Sequence, residues 1–400
     1  MDYLTGIVAL VIGLLISIAL HELGHFIPAK RFGILCTQYM IGFGPTLYSR
    51  QIGETEVGIK AILLGGYVRM VGMYAPGRQG RKIHNRQGRL TAAEEARRAA
   101  AAEIPPGSED RAFYAQSVPK RLLVMVSGTL VNLLLSLLCV LVALSAIGVN
   151  APTLTIDTVS PGSPAAVAAV QPGDKVLAWN GTRVNDWAEV QQLIGASTAG
   201  KEAKLSVERG GETLTLSVVP KNAGKHAIIG VVPTAEKQRL SLGVACSYEW
   251  SMALGTARIL LALPVKLWQT LVGLFQPEKP RDPNSLIGII GMGQVAGSIA
   301  ASDTQGYSFS DKVASFLLLF ASLNMTLFMF NLIPLMPLDG GQVAGALYEV
   351  ARKRVRRWRG LDSGGPVDLA RMLPVTTAVV FAFIAMTVLL IIADLVKPVF

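Results

Sequence analysis

The sequence predicts a polytopic α-helical membrane protein with about four transmembrane helices, a membrane-associated β-hairpin and one further domain of mixed strands and helices. Of its 400 residues, 51% are hydrophobic and only 16% are charged, whereas soluble domains carry roughly 25% charged residues. Four nearly uncharged stretches reach the ~20 helical residues that cross a bilayer core. These stretches cover residues 4–27, 122–146, 313–338 and 374–393.

The first stretch is typical of a retained helix and not of a cleaved signal peptide. Only Asp2 precedes the apolar run, no small-residue cleavage site follows it, and Lys30 and Arg31 lie just beyond it. This arrangement predicts an N-terminus outside the cytoplasm and a first helix that runs inward.

The net charge of +10 is concentrated in two segments. Residues 78–121 hold ten basic and five acidic residues, and residues 352–359 hold six basic residues and no acid, whereas residues 150–250 hold nine of each. The positive-inside rule places the two basic segments in the cytoplasm and the balanced segment outside. The basic charge therefore indicates membrane topology and not nucleic-acid binding. Both termini are then expected on the outer side.

The first helix carries the motif HELGH directly after the apolar residues 3–20. On a helix, His21 and His25 lie one turn apart on the same face, where two imidazoles can bind one metal ion. Glu22 lies beside them, where it can accept a proton from water that the metal activates. A water-using motif attached to a lipid-facing segment predicts peptide-bond hydrolysis within or at the edge of a membrane.

A catalytic zinc site usually has three protein ligands. The chain has four histidines, and His84 and His226 lie in polar segments on opposite sides of the predicted membrane. The third ligand is therefore predicted to be a carboxylate, and Asp339 in the sequence NLIPLMPLDGG is the candidate. Helices one and three both run inward, so His21 and Asp339 are expected at similar depth.

Two asparagines are predicted at membrane depth, where polar side chains usually face the protein interior. Asn132, four residues after Gly128, either packs helices together or shapes the active site. Asn331 either holds a substrate carbonyl or developing oxyanion, or caps backbone carbonyls freed by the prolines that follow.

Between the first two spans, residues 33–72 are rich in glycine and β-forming residues. Their alternation, followed by Gly65 and Gly66, predicts a strand pair next to the first helix. Residues 76–110 are predicted to form a polar loop containing a short solvated helix at 91–103.

Residues 249–275 are apolar but contain Arg258, with Trp250 and Trp268 near their ends. A fifth span would place the basic residues 352–359 outside the cytoplasm, against the positive-inside rule. A helix lying on the outer membrane surface is therefore favoured.

Residues 153–220 alternate strand-like runs with turn signals and two short helical stretches, at 165–170 and 187–197. The succession of SPGSPAA, QPGDKVLAWNG and LSVERGGETLTLSVVP resembles a PDZ domain of the bacterial, protease-associated type, with a last strand at 228–233. Where many relatives have Ala-Gly-Leu before PGD, this chain has residues 169–172, AVQP, which leaves the local helix end uncertain.

Together, HELGH, GFGP, LLGGYVRM, a Gly-xxx-Asn second helix, this domain and NLIPLMPLDGG resemble the site-2 protease family of intramembrane zinc metalloproteases, nearest to its bacterial RseP-like branch. The resemblance implies zinc bound by His21, His25 and Asp339, with Glu22 as the general base. It also implies that the strands of residues 53–70, with Gly65 and Gly66, offer an edge to an extended substrate.

The resemblance further implies location in the bacterial cytoplasmic membrane and single-pass transmembrane substrates already trimmed by another protease, such as anti-sigma factors or remnant signal peptides. The PDZ domain would gate their access. The rival classes are a metal-ion transporter or zinc sensor and a catalytically silent scaffold. Glu22 and the peptide-binding type of domain disfavour the first, and the intact set of four site residues disfavours the second. The predicted segments are 1–75 (first span and β region), 76–121 (cytoplasmic loop), 122–148 (second span), 150–235 (PDZ domain), 245–310 (surface helix and loop), 311–350 (third span), 351–373 (cytoplasmic loop) and 374–396 (fourth span).

Overall fold

The computed structural model describes residues 3–77, 83–84, 87–223, 226–276, 278, 281–282, 285–302, 307–362 and 365–398. The chain divides into two compact units: Met1–Ala143 with Leu242–Phe400, called the helical unit, and Leu144–Ser241, called the sheet unit. The helices are α1 (Tyr3–Arg31), α2 (Ala92–Ala102), α3 (Val118–Leu141), α4 (Pro164–Val167), α5 (Trp187–Gly195), α6 (Leu242–Leu261), α7 (Leu263–Leu274), α8 (Ile289–Ala301), α9 (Phe309–Asn331), α10 (Asp339–Trp358) and α11 (Leu373–Val396). The strands are β1 (Cys36–Ile52), β2 (Thr55–Met70), β3 (Val149–Val159), β4 (Lys175–Trp179), β5 (Thr182–Arg183), β6 (Ala203–Arg209), β7 (Glu212–Val218), β8 (Lys221–Ala223), β9 (His226–Ile228) and β10 (Val231–Gln238).

Four helical segments among the described residues are long and apolar enough to cross a membrane. They correspond to the four predicted stretches and comprise Tyr3–Arg31, Val118–Ile147, Phe309–Asn331 and Leu369–Val396. Helices α6 and α7 together would make a fifth, but they are bent by 67° at their junction. The preference for a surface helix there stays a prediction.

The third span is shorter than predicted. Helix α9 ends at Asn331, and not near residue 338, because Pro334 and Pro337 follow within two turns and cannot continue the helical hydrogen bonds. Asp339 instead begins α10, which extends through most of the basic segment that was expected to be a loop.

Helix α8 was also missed by the sequence analysis. Its 13 residues are too few to span a bilayer, and it packs mainly against α1. Close approach of small residues makes this possible, because a side chain at Gly6 would collide with the backbone of Ala296.

Strands β1 and β2 are long, bent and antiparallel. Residues 38–41 pair on one side with 56–59, and residues 36–41 pair on the other side with 66–70. Among the strands that the structure describes, none pairs with the outer side of 66–70. Residues 66–70 are called the edge strand below.

The sheet unit has a sheet with the strand order β10-β3-β4-β6-β7, and β5 pairs with β4. Helix α5 packs against β4, and the apolar core includes Ile156, Trp179, Val190 and Leu205. The short helix α4 ends before Ala169, which adopts a left-handed backbone with φ 59°. Mixed strands and short helices match the expected element pattern, and the identity of the domain as PDZ stays a prediction.

Candidate metal centre

Three side chains predicted as ligands converge in the helical unit. Asp339 Oδ2 lies 3.4 Å from His21 Nε2 and 3.2 Å from His25 Nε2, and the two Nε2 atoms are 3.2 Å apart. Tetrahedral ligands held at ~2.0–2.1 Å from zinc are separated from each other by about 3.3 Å. Two imidazoles and a carboxylate at this spacing therefore fit a zinc ion. They form the one such cluster among the residues that the structure describes, and neither His84 nor His226 belongs to it.

The orientation of His25 is set by helix α3. Its Nδ1 lies 2.7 Å from the carbonyl oxygen of Val124, and the ring is buried. Because a carbonyl only accepts, Nδ1 carries the hydrogen and Nε2 keeps its lone pair for a metal. The ring lies directly over Gly128, where a Cβ atom would come within 2.2 Å of Nε2. Helices α1 and α3 themselves meet at Gly24 and Gly128.

His21 is held by Asn132, whose side-chain amide lies 3.2 Å from Nδ1. When Nε2 faces a metal, Nδ1 carries the hydrogen and needs an acceptor. The amide oxygen of Asn132 is buried and has no partner among the described residues. Turning this amide by 180° satisfies that oxygen and gives His21 its acceptor. Of the two roles predicted for Asn132, this contact favours the one in the active site.

Asp339 reaches the cluster as the first residue of α10. Thr129 of α3 donates a hydrogen bond of 3.1 Å to its Oδ2. The turn before it is tight, since side chains at Gly340 and Gly341 would collide with backbone atoms of residues 332–336. The glycines after Asp339 thus allow α10 to start close to the end of α9.

Glu22 lies against the edge strand. A Cβ atom at Gly66 would come within 2.9 Å of Glu22 Cγ, and the Glu22 carboxylate interacts with the backbone of Val68. Gly65, with φ 137°, makes a similarly close approach to the ring of Phe43. The absence of a side chain at Gly66 allows the edge strand to lie next to the glutamate, and Gly65 makes room for Phe43.

Asn331 is the last residue of α9 and is half-buried. Its side chain makes no hydrogen bond among the residues described, so it does not cap backbone carbonyls there.

Three residues of α3 support the site but were not identified as site residues from the sequence: Val124, Gly128 and Thr129. The Gly-xxx-Asn pattern was the available signal for Gly128.

Apolar spanning helices around a zinc-type donor set with an adjacent glutamate define a membrane zinc metallopeptidase. The chain matches the model of Peptidase family M50 over residues 9–370, and it belongs to this family, the site-2 proteases. It is 30% identical to the zinc metalloprotease Rip1 of Mycobacterium tuberculosis, over 100% of this chain and 99% of that protein.

Two further relatives are also named as metalloproteases. The chain is 28% identical to the metalloprotease MmpA of Caulobacter vibrioides, over 93% of each chain. It is 27% identical to the zinc metalloprotease RasP of Geobacillus kaustophilus, over 83% of this chain and 86% of that one. The protein is therefore a multi-pass membrane zinc metallopeptidase with Zn²⁺ as its cofactor, as predicted.

Proposed function

We propose that this protein hydrolyses peptide bonds within the transmembrane segments of other membrane proteins, with His21, His25 and Asp339 as zinc ligands and Glu22 as general base. The observation that supports this most strongly is the position of the donor cluster. It lies between the spanning helices α1 and α3 and the start of α10, and Glu22 beside it lies against the edge strand, whose outer side has no partner among the described strands.

Each side chain has a defined task in the proposed reaction. Zinc, when bound, supplies Lewis acidity that polarises a carbonyl and makes water ionise near neutral pH. Glu22 takes a proton from the attacking water and returns it to the leaving amide nitrogen. Val124 and Asn132 hold the two imidazoles in the tautomers that leave both Nε2 atoms free.

A helical substrate must unwind locally, because its carbonyls are otherwise hydrogen-bonded within the helix. We propose that the edge strand holds the unwound segment by β-strand addition. Gly66 allows this strand to lie close to Glu22, and Gly65, just before it, leaves room for the ring of Phe43. Asn331, whose amide is not used internally among the described residues, is a candidate donor to the substrate carbonyl.

The substrates we propose are single-pass proteins already trimmed by another protease, such as anti-sigma factors or remnant signal peptides. The sheet unit, as a PDZ domain outside the cytoplasm, would exclude substrates with untrimmed external domains. Deleting residues 150–235 should then permit cleavage of an untrimmed substrate while cleavage of the trimmed form continues. Equal exclusion of the untrimmed form without the domain would contradict the gating role.

The central test replaces Glu22 with glutamine in the purified, reconstituted protein. Loss of a general base lowers the rate by about 10²–10⁴-fold, and zinc content should stay unchanged because the three ligands remain. A labelled transmembrane peptide reports cleavage, and metal analysis reports zinc. The control is Glu95→Gln, the same change at an exposed position of α2.

Cleavage by the Glu22→Gln protein at the unaltered rate would overturn the mechanism. A zinc-loaded native protein that cleaves no transmembrane peptide would instead support the transporter or scaffold classes. If the mechanism holds, the Glu22→Gln protein should retain its uncut partners in cells, and these can be identified by mass spectrometry.

A further inference from the structure

Helix α10 has a buried inner face and an exposed apolar face. The inner face packs against α3, where Gln342, Ala346 and Glu349 are buried. Arg121 of α3 donates a hydrogen bond of 2.8 Å to Glu349. This face is fully explained by the packing of the helical unit.

The opposite face is exposed. Leu347, Val355 and Trp358 are exposed, and with Ala351 they follow the spacing i, i+4, i+8 and i+11 of a single stripe. Trp358 is 86% exposed, which is unusual for tryptophan in contact with water alone. These four residues are called the outer stripe.

The basic residues of α10 are divided in the same way. On the inward side, Lys353 bonds to Glu349, Arg352 to the Gly365 carbonyl and Arg356 to the Asp362 carbonyl. In contrast, Arg354, Arg357 and Arg359 are exposed. Arg354 and Arg359 flank the outer stripe on its two sides, whereas Arg357 projects about 115° away from its centre, by helical geometry of about 3.6 residues per turn.

We propose that the outer stripe and its flanking arginines bind the anionic phospholipid headgroups of the membrane surface that faces α10. An exposed apolar stripe between cations, with tryptophan on it, is the pattern of a helix lying in the interface. The helix starts eight residues after the end of the spanning helix α9, so the bilayer surface is near. No acidic residue lies within 352–359 to oppose negative headgroups.

The contact can be measured on the full-length protein in vesicles. An environment-sensitive fluorophore is attached at Val355→Cys, with Cys246→Ser as background, because Cys36 and Cys139 are buried. The two vesicle types are phosphatidylcholine alone and phosphatidylcholine with roughly one-third phosphatidylglycerol. We expect a blue-shifted emission in the anionic vesicles, reversed by high salt since screening weakens surface attraction.

The matched variants are Arg354→Glu and Arg357→Glu, which change charge equally at two exposed positions. Arg354→Glu should lower the ratio of docked to undocked probe roughly fivefold or more, and Arg357→Glu should have a clearly smaller effect. Equal effects of the two variants, or equal emission in both vesicle types, would overturn the proposal. A blue shift that depends on protein concentration in neutral vesicles would overturn it in favour of a second copy. This readout requires no proteolysis, so it stands apart from the proposed reaction.

Discussion

Both units bury apolar side chains, but the helical unit also buries many polar ones, whereas the sheet unit buries few. In the sheet unit, the core consists of residues such as Ile156, Trp179 and Leu205, and Ser163 and Asp174 are the buried polar residues among those described. In the helical unit, apolar side chains cover the outside of the spans, and polar ones lie inside. Ser17 bonds to Asn324 at 2.8 Å, and Ser136 bonds to the Ala321 carbonyl at 2.9 Å.

The difference follows from the solvent of each unit. Water drives apolar groups together in the sheet unit. Lipid gives no such drive between helices, which associate through close packing of small residues and through hydrogen bonds. The same rule that brings Gly24 onto Gly128 also brings polar residues inward, and the metal site consists of such residues. Stability in one unit and function in the other should therefore respond to different substitutions.

The largest effect is expected in the sheet unit. Trp179→Ala removes a fully buried ring and should lower the free energy of unfolding of this unit by about 3–5 kcal/mol. Hydrogen exchange resolved along the chain measures it, and zinc content of the helical unit should be unchanged. The control Val167→Ala, at an exposed position, should have an effect within about 0.5 kcal/mol. Loss of zinc with Trp179→Ala would show that the units are not independent.

In the helical unit, adding one methyl group where α1 and α3 touch should strongly reduce the rate of catalysis. Gly128→Ala places Cβ where His25 Nε2 now lies, so the imidazole must move. Displacement of a reacting group by about 1 Å costs roughly 100-fold in rate, and zinc content should fall with it. Gly255→Ala in α6, where nothing lies within 4 Å of the added atom, should leave both unchanged. Full zinc content and activity in Gly128→Ala would contradict the packing described here.

A smaller effect is expected at the buried ion pair of the sheet unit. Asp174 accepts hydrogen bonds from the Arg209 guanidinium at 2.6 and 2.7 Å and from the backbone N–H of Gln171 at 2.9 Å. Burial opposes its charge, but these bonds prevail and hold the pKa of Asp174 below its ordinary value. Asp174→Asn should lower the free energy of unfolding by about 1.5–3 kcal/mol at pH 7.

The sign of the pH dependence follows from this lowered pKa. The stabilisation is present above the unfolded-state pKa of about 3.9, and it is lost as the pH falls through the lower folded-state value. The native sheet unit should therefore lose stability below about pH 4, and Asp174→Asn should lack that portion of the loss. Identical acid profiles for both proteins would show that Asp174 carries no such linkage.

The smallest expected effect is an increase in the free energy of unfolding of the sheet unit, caused by a substitution at Ala169. Ala169 has φ 59°, a left-handed conformation that costs an L-residue about 1–2 kcal/mol. Ala169→Gly relieves this but frees the unfolded chain, so the net gain in unfolding free energy should be roughly 0.5–1 kcal/mol. Gly173→Ala, at φ 93°, should instead destabilise. A loss of stability with Ala169→Gly would mean that the strain is absent.

The sequence predicted the features that depend on local pattern. The lengths of the apolar stretches predicted the four spans. The HELGH and PLDG motifs predicted four site residues that the structure brings close to one another: His21, Glu22, His25 and Asp339. Contacts between helices were not predictable in the same way. Nothing near His25 in the sequence indicates that the Val124 carbonyl holds its ring, because that contact depends on how α1 packs on α3.

Two helices were missed for a different reason. Helix α8 is too short to be recognised as a span, and its Gly-rich sequence favours a loop by propensity alone. Tertiary packing against α1 overrides that propensity. In α10, the cluster of arginines suggested a solvated loop, yet Leu347, Ala351, Val355 and Trp358 recur with helical period in the sequence.

The donor cluster joins residues from opposite ends of the chain, and translation makes them in a fixed order. His21 and His25 enter the membrane early, whereas Asp339 follows more than three hundred residues later. At about 5–20 residues per second, the ribosome takes roughly a quarter of a minute to a minute to bridge that interval. The nascent chain therefore holds two histidines without their carboxylate for that time. If Asp339 is the third zinc ligand, as proposed, activity begins only when synthesis is nearly complete.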